Sequence, residues 1–246
     1  MGISARLVRA RNGLAKAFAG LRLFNESVWP GVRNDLFVAH ESIYLFASQF
    51  AAGARVLDAA CGTGYGSAVL LGAGALSIEG VDIDAATVRY ASRHYPDPRV
   101  RFSVVDLETQ PIPPGPFDLV VSSNTLEHLG SPDLFLRRLE SALAPGGRVV
   151  VALPPVYSEA DLAVHERISY HRSPLSVRAW HELFDSLGWS VTLYGQRLAS
   201  EAGTPDFSSP YPSRLRPGDF AFTPLALEAF YEMPSIGAVF VLRRVA

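Results

Sequence analysis

The sequence predicts an α/β fold: a doubly wound, mostly parallel sheet with helices on both faces. Three observations predict it. Short β-branched runs alternate with helical patterns from residue 55 onwards, at the rhythm of successive βα units. The first run feeds directly into Gly62, Gly64 and Gly66 and then into a helical stretch. Glycines at such a turn let the backbone approach a ligand where a Cβ would collide. Acids stand at the ends of three successive strands, Asp58, Asp82 and Asp106, evenly spaced along the chain.

The elements follow in order. Residues 55–58 are strand one, and residues 66–71 open a helix. Residues 77–82 are strand two, closing on Gly80-Val81-Asp82-Ile83-Asp84. A helix over 85–94 stops at Tyr95-Pro96-Asp97-Pro98. Residues 100–105 are strand three, with Asp106 at its end, and 117–122 are strand four. Residues 132–143 form a helix closed by Ala144-Pro145-Gly146-Gly147, ahead of strand five at 148–153. A helix over 176–187 ends at Gly188. Strand six covers 189–194 and the last strand 237–245, which makes seven. Two segments break the rhythm. Residues 154–175 hold His165 and His171, and residues 199–236 are rich in Pro, Ser, Phe and Tyr. Connections that long serve as lids, binding loops or oligomer contacts.

Residues 1–24 carry Arg6, Arg9, Arg11, Lys16 and Arg22 without an acid, and Ile3, Leu7, Leu14, Phe18 and Leu21 share one stripe at helical spacing. An amphipathic helix packed on the domain or on a second subunit is the plainer reading. A surface helix touching anionic lipid or a lipid-linked substrate is the sharper one. The composition is also that of an organelle transit peptide. The expected organisation is a helical N-terminal cap over 1–50 and one domain over 51–246, with a substrate-side insertion at 199–236.

Composition excludes several chemistries. A net charge of −2 offers no general attraction to nucleic acid or to an anionic membrane. Cys61 is the single cysteine, so disulfides within the chain, CxxC centres and cysteine-ligated clusters are excluded. Lys16 is the single lysine and is poorly placed for Schiff-base chemistry. The phosphate loop GxxxxGK[ST] does not occur. With no apolar run of about 18 residues and no secretory signal pattern, a cytoplasmic enzyme is the expectation.

The three strand-end acids should meet along one sheet edge, beyond the carboxyl ends of the strands, where ligands bind in such folds. Asp58 is the unusual one. A loop built only for a pyrophosphate would not carry a carboxylate at its root, because like charges repel. A carboxylate there suits a ligand with a cationic end, and S-adenosylmethionine has an ammonium and a sulfonium. Asp82 can accept from both ribose hydroxyls. Asp106 can accept from the adenine amino group while the Leu107 amide donates to the ring. Any one of these acids alone reads equally well as a helix cap; three in register after a glycine loop do not. The dinucleotide pattern G-x-G-x-x-G fails, since position 67 is Ser67 and the third glycine comes one residue early. Leu153-Pro154-Pro155-Val156-Tyr157 mimics the D/N-P-P-Y of amino-group nucleic-acid methyltransferases but follows strand five. The strand-four segment reads Ser122-Ser123-Asn124-Thr125.

The ordered set VLDAACGTGYG, GVDID, VVDLE, FDLVVSSNTLEHL and APGGRVVVALP resembles the class I S-adenosylmethionine-dependent methyltransferases over residues 36–197. The resemblance implies a Rossmann-like, seven-stranded sheet, mostly parallel with the last strand antiparallel. It implies cofactor contacts at Tyr44, Asp58, Ala60, Gly62, Gly64, Asp82, Ile83, Asp106, Leu107 and Asn124. His40-Glu41-Ser42-Ile43-Tyr44 is similar to the H-x-x-R-Y of bacterial methyltransferases of surface-glycan and other glycoside assembly, with Ile43 in the arginine position. Tyr44 would close over the methionine end. Residues 171–184, with Gly188 and Gln196, are similar to the H-x-R-E-Y-T-x-x-E-F region of the same group.

Methyl transfer from a sulfonium is an in-line displacement in which the enzyme mostly aligns the nucleophile. A hydroxyl acceptor must also lose a proton, a task that suits histidine near neutral pH. His128, just after strand four, should point into the cleft as base or acceptor-orienting group; a histidine packed beside the loop is the alternative. Glu127, His128 and a later histidine, His171 or His165, can gather as ligands for a divalent metal. Plant small-RNA 2′-O-methyltransferases look similar here, with E-x-x-E-H and a distant histidine binding magnesium, but Asn124 stands where the first glutamate would be. Of the other histidines, His94 ends a helix, His181 lies on a helix face and His40 approaches the cofactor. Phe207, Tyr211, Phe220, Phe222, Phe230 and Tyr231 suit stacking on a sugar, a dimer contact or local core equally. The expected activity is O-methylation of a small polar acceptor, such as a sugar hydroxyl of a glycan or natural product, by Glu127, His128 and His171. S-adenosyl-L-methionine is the cofactor, and Mg²⁺ or another divalent ion the candidate metal. The alternatives are a cofactor-binding partner protein without turnover, an N-methyltransferase or an RNA methyltransferase.

Overall fold

A computed structural model of the chain describes residues 31, 33–199 and 205–244. The basic helix expected over 1–24 lies outside the described residues. The strands are β1 (Arg55–Ala59), β2 (Ser77–Asp82), β3 (Val100–Val104), β4 (Phe117–Ser123), β5 (Leu143–Leu153), β6 (Trp189–Leu198), β7 (Phe220–Leu225) and β8 (Gly237–Arg244). They form one sheet of eight in the order β3-β2-β1-β4-β5-β8-β6-β7. Neighbours from β3 to β5 are parallel. β8 runs antiparallel between β5 and β6, and β7 antiparallel on the outside of β6. The α/β, Rossmann-like, mostly parallel architecture is therefore as expected, with one strand more than seven. The extra strand, β7, lies within the segment read as an insertion. Pro224 sits inside it opposite Tyr194, which an outer edge strand tolerates because no described strand pairs on its far side.

β5 also starts earlier than expected. Phe117 pairs with Leu143, the register then shifts, and Leu119 pairs with Arg148. Gly146 takes φ +75°. Ala144-Pro145-Gly146-Gly147 is thus an irregular strand entry rather than a loop that closes a helix.

The helices are α1 (Asp35–Ala47), α2 (Tyr65–Gly72), α3 (Ala85–His94), α4 (Pro132–Ala142), α5 (Glu159–His165), α6 (Val177–Ser186) and α7 (Leu227–Glu232). Caps set several starts. Asn34 accepts from the Phe37 amide at α1, Asp84 from the Ala86 amide at α3, and Ser158 with Asp161 makes a reciprocal capping box at α5. Alternate residues of the central strands point to opposite faces, and both faces are covered. Leu57, Val120, Val149 and Phe240 pack with Phe135 of α4, Trp180 and Phe184 of α6 and Phe230 of α7. Val56, Leu119, Val150 and Val239 pack with Ile43, Tyr44 and Ala47 of α1 and Leu70 of α2. α1 is thus part of the domain core. Gln196 of β6 locks it in place: its buried Nε2 donates to the Ala39 carbonyl and to Ser42 Oγ, both at 2.9 Å. Among the described residues no helix is long and apolar enough to cross a membrane.

The aromatics of residues 199–236 divide. Phe220 and Phe230 are buried in core clusters, and Phe222 stacks on Phe46 at 4.6 Å. The Tyr231 hydroxyl accepts from the Arg178 amide. Phe207 and Tyr211 remain exposed.

Candidate active site

The site lies at the carboxyl ends of β1 to β5. The chain goes outwards from β1 through β2 to β3, then returns to β4 on the other side of β1, so β1 and β4 flank a topological switch point. β1 runs into Ala60 at φ +67°, Gly62 at +53° and Gly64 at +82°. The glycines do different jobs. A Cβ on Gly62 would meet nothing within 4 Å, so its backbone borders open space. A Cβ on Gly64 would press on Ala91 and Phe102, and one on Gly66 would collide with the Tyr44 ring. The early third glycine is the notch that seats Tyr44.

Tyr44, expected to close over the methionine end, is buried against the loop, and its hydroxyl donates to Asp58 Oδ1 at 3.0 Å. Ser67 Oγ donates to Asp58 Oδ2 at 2.6 Å. Asp58 is fully enclosed. Burial pushes its carboxyl up to about 6, against the pull of the Ser67 and Tyr44 hydrogen bonds.

Asp82 ties the loop to the end of β2. Its Oδ2 accepts from the Gly62 amide and its Oδ1 from the Asp84 amide, both at 2.9 Å. Burial raises its pKa, while hydrogen bonds from the Asp84 and Gly62 amides work the other way. The Ile83 amide acts on the carboxylate in the same direction. Ile83, next in sequence, is 54% exposed, an apolar surface beside the carboxylate. Asp106 shapes its own turn. Its Oδ1 accepts from the Glu108 amide at 2.8 Å and its Oδ2 from Thr109 Oγ1 at 2.7 Å. The Thr109 bond leads in holding its carboxyl below the usual range. The Leu107 side chain beside it is buried.

Asn124 follows β4 in the left-handed region at φ +49°. Its amide donates to the Ala152 carbonyl of β5 at 2.8 Å, which fixes this strained position. Its side-chain Nδ2 lies 3.5 Å from both ring nitrogens of His40 on α1. A short 3₁₀ turn, Leu126–His128, comes next. Glu127 is buried and His128 half-buried. His128 Nδ1 lies 3.1 Å from the Tyr170 carbonyl. A carbonyl only accepts, so Nδ1 is the nitrogen that carries a hydrogen here, in the neutral ring as in the charged one.

The connection over 154–175 docks on this turn. The Arg172 and Ser173 amides donate to the Glu127 carbonyl at 2.8 and 3.0 Å, and Ser173 Oγ donates to the Leu129 carbonyl. His171 arrives with its ring 5.0 Å from that of His128. Glu127, His128 and His171 each offer a ligand atom within 4.8 Å of the others. The three residues expected to act together are brought together. His165 joins through His171, with their Nδ1 atoms 3.1 Å apart. His94 instead bonds the Tyr90 carbonyl on α3, and His181 sits on α6.

Sequence reasoning missed Ser67 and Tyr170. Ser67 stood where a dinucleotide loop has glycine and was read only as a mismatch. Its signal is a hydroxyl in the first turn of the helix after a buried acid. Tyr170 acts through its carbonyl, which carries no signal in the side chain.

A family model of a methyltransferase domain matches residues 56–147. The chain is 31% identical over 175 residues to a probable S-adenosylmethionine-dependent methyltransferase of Mycolicibacterium smegmatis, covering 70% of this chain and 67% of that one. It is 39% identical over 112 residues to a tRNA U34 carboxymethyltransferase of Methylococcus capsulatus, covering 44% of this chain and 35% of that one. The chain thus spans about two thirds of the first relative and about one third of the second. The structure of an S-adenosylmethionine-dependent methyltransferase from Mesorhizobium loti shares the fold, with a TM-score of 0.59 at 17% identity over 84% of this chain and 98% of that one. Strand order, loop chemistry and sequence matches agree, and the chain belongs to the class I S-adenosylmethionine-dependent methyltransferases.

Proposed function

We propose that this protein methylates a hydroxyl of a small polar acceptor, with His128 as the general base. A sugar hydroxyl of a glycan or glycosylated natural product is the acceptor class that the His40–Tyr44 motif and residues 171–184 resemble. One observation carries the reading. The Tyr170 carbonyl takes the hydrogen of His128 Nδ1, so in the neutral ring Nε2 is the nitrogen that can take a hydroxyl proton.

When bound, S-adenosylmethionine supplies a methyl group already activated by its sulfonium. The residues at the strand ends fit it. Gly62 leaves backbone bordering open space, the Asp82 carboxylate retains acceptor capacity for ribose hydroxyls, and Asp58 sets a negative charge behind the loop for an ammonium. Ala60, Gly62 and Gly64 would line the methionine end, Ile83 the adenine face, and Asp106 with Leu107 the adenine edge. Asn124, after β4, would contact the cofactor. Glu127 and His171 flank His128 and orient it and the acceptor. Exposed Phe207 and Tyr211 offer stacking surface for an acceptor or a second subunit, and residues 1–24 a peripheral lipid contact.

The test uses simple glycosides and nucleotide sugars as acceptors and release of S-adenosylhomocysteine as the signal. His128→Ala should cut turnover about 10²-fold or more while leaving S-adenosylhomocysteine affinity unchanged by calorimetry. A variant with full turnover removes the base assignment.

The proximity of Glu127, His128 and His171 favours a second arrangement, a divalent ion held by one carboxylate and two imidazoles. That donor set suits Mn²⁺, Fe²⁺ or Zn²⁺ better than Mg²⁺, which takes oxygen ligands. The Nδ1–H of His128 on a carbonyl is also how a ligating imidazole is oriented. Turnover that survives chelation unchanged removes this arrangement; loss on chelation and return with Mn²⁺ supports it.

A further inference from the structure

Three segments that carry parts of the proposed site meet at one carboxylate, Glu108. The loop after β3 holds Asp106. Gly130 lies just beyond His128, and Arg172 directly follows His171. Glu108 Oε1 accepts from the Gly130 amide at 2.8 Å, and the Arg172 guanidinium donates to Oε2. The same arginine's backbone amide donates to the Glu127 carbonyl at 2.8 Å. A Cβ on Gly130 would collide with the guanidinium, so a glycine there is what lets Arg172 lie across the turn. Arg138 of α4 donates to the carbonyls of Leu107 and Gln110 in the same loop. An unbroken series of bonds therefore runs from Asp106 through Glu108 and Arg172 to the segment bearing His171 and the turn bearing His128.

We propose that Glu108 and Arg172 form a positioning clasp that couples cofactor occupancy to the placement of His128 and His171. The inference rests on the reading that Asp106 and Leu107 face the adenine. The clasp is poorly suited to holding the fold, because Arg172 is 56% exposed and Glu108 24% exposed at the side chain, and exposed ion pairs add little to global stability. A weak pair that bridges two loops is instead easily biased. A ligand that orders the loop after β3 makes closure of the pair more favourable, and closure in turn favours the ligand.

Hydrogen exchange and calorimetry on the full chain, with S-adenosylhomocysteine as probe, test this. In the wild type the ligand should slow exchange at the Arg172 and Ser173 amides about fivefold or more, along with the amides of the Gly62 loop. Glu108→Gln and Arg172→Met should abolish the slowing at 172 and 173, keep it at the Gly62 loop, and weaken the ligand about threefold to tenfold. Arg172→Lys, which keeps the charge, should retain most of it. Protection at the Gly62 loop without protection at 172 and 173 in the wild type overturns the clasp. So does protection at 172 and 173 that survives Glu108→Gln. Absence of binding heat and of protection anywhere overturns the cofactor reading beneath it.

Discussion

At Asp58, burial of a carboxyl links stability to the affinity proposed for the ligand's ammonium. Its pKa of about 6 in the folded protein lies above the value near 3.9 of an unfolded chain. The native state therefore holds the proton more tightly between those values. The protonated form removes a penalty, so stability from this residue rises as pH falls from about 6 towards 4, by about 3 kcal/mol at most. Ligand affinity should change in the opposite direction, since the ammonium of S-adenosylhomocysteine favours the charged carboxylate. Calorimetry should show affinity falling as pH drops through about 6, with Asp58→Asn flattening the dependence; a flat wild-type profile would contradict it. Tyr44→Phe removes a hydrogen bond that lowers the Asp58 pKa, so the midpoint should move upwards. Gly66 is tested separately: Gly66→Ala pushes a methyl into the Tyr44 ring and should cost about 1–3 kcal/mol in urea unfolding. The strand-end acids were legible because a βα unit fixes where a strand stops. The partners of Asp58 were not, because Tyr44 and Ser67 reach it by packing that no local spacing encodes.

At the scale of elements, the sequence pattern was clear where strands are buried on both faces and weak at the sheet's outer edge. β1, β2 and β4 read as apolar runs bounded by turn residues. β7 was hidden by Pro224 and its proline-rich surroundings, because an edge strand can carry residues that a central one cannot. Gly146-Gly147 looked like a stop signal and is an irregular entry to β5, since glycine permits a positive φ in either setting. α5, started by the capping box of Ser158 and Asp161, lies inside the 154–175 connection, where no helix was expected. The attachment of α1 depends on a long-range contact that local pattern cannot show: Gln196 of β6 donates to Ala39 and Ser42. Gln196→Met keeps the volume and removes both bonds, and should cost about 1–3 kcal/mol. Amides of α1 should then exchange faster, while those of β1 and β4 keep their rates. Unchanged exchange in α1 would show that its apolar face alone holds it.

For the molecule as a whole, the strand order brings Asp58, Asp82 and the Asp106 turn to the carboxyl ends of neighbouring strands, so the fold and the proposed ligand site draw on the same loops. The Gly62 amide is held by Asp82, and the Asp82 carboxylate is held by the Asp84 amide that starts α3. A ligand that fills the crevice should stabilise the native state without contacting the core. At a concentration about 100-fold above its dissociation constant, S-adenosylhomocysteine should add about 2.7 kcal/mol. For a domain of this size that raises Tm by roughly 5–10 °C. Asp82→Ala separates the two contributions. It loses a local tie between loop and strand, which lowers the ligand-free Tm a little, and it loses the acceptor proposed for the ribose, which should remove more than half of the ligand-induced shift. Thermal unfolding with and without ligand reads both. If the variant keeps the full shift, the carboxylate only shapes the loop, and the ribose must be held elsewhere along the crevice.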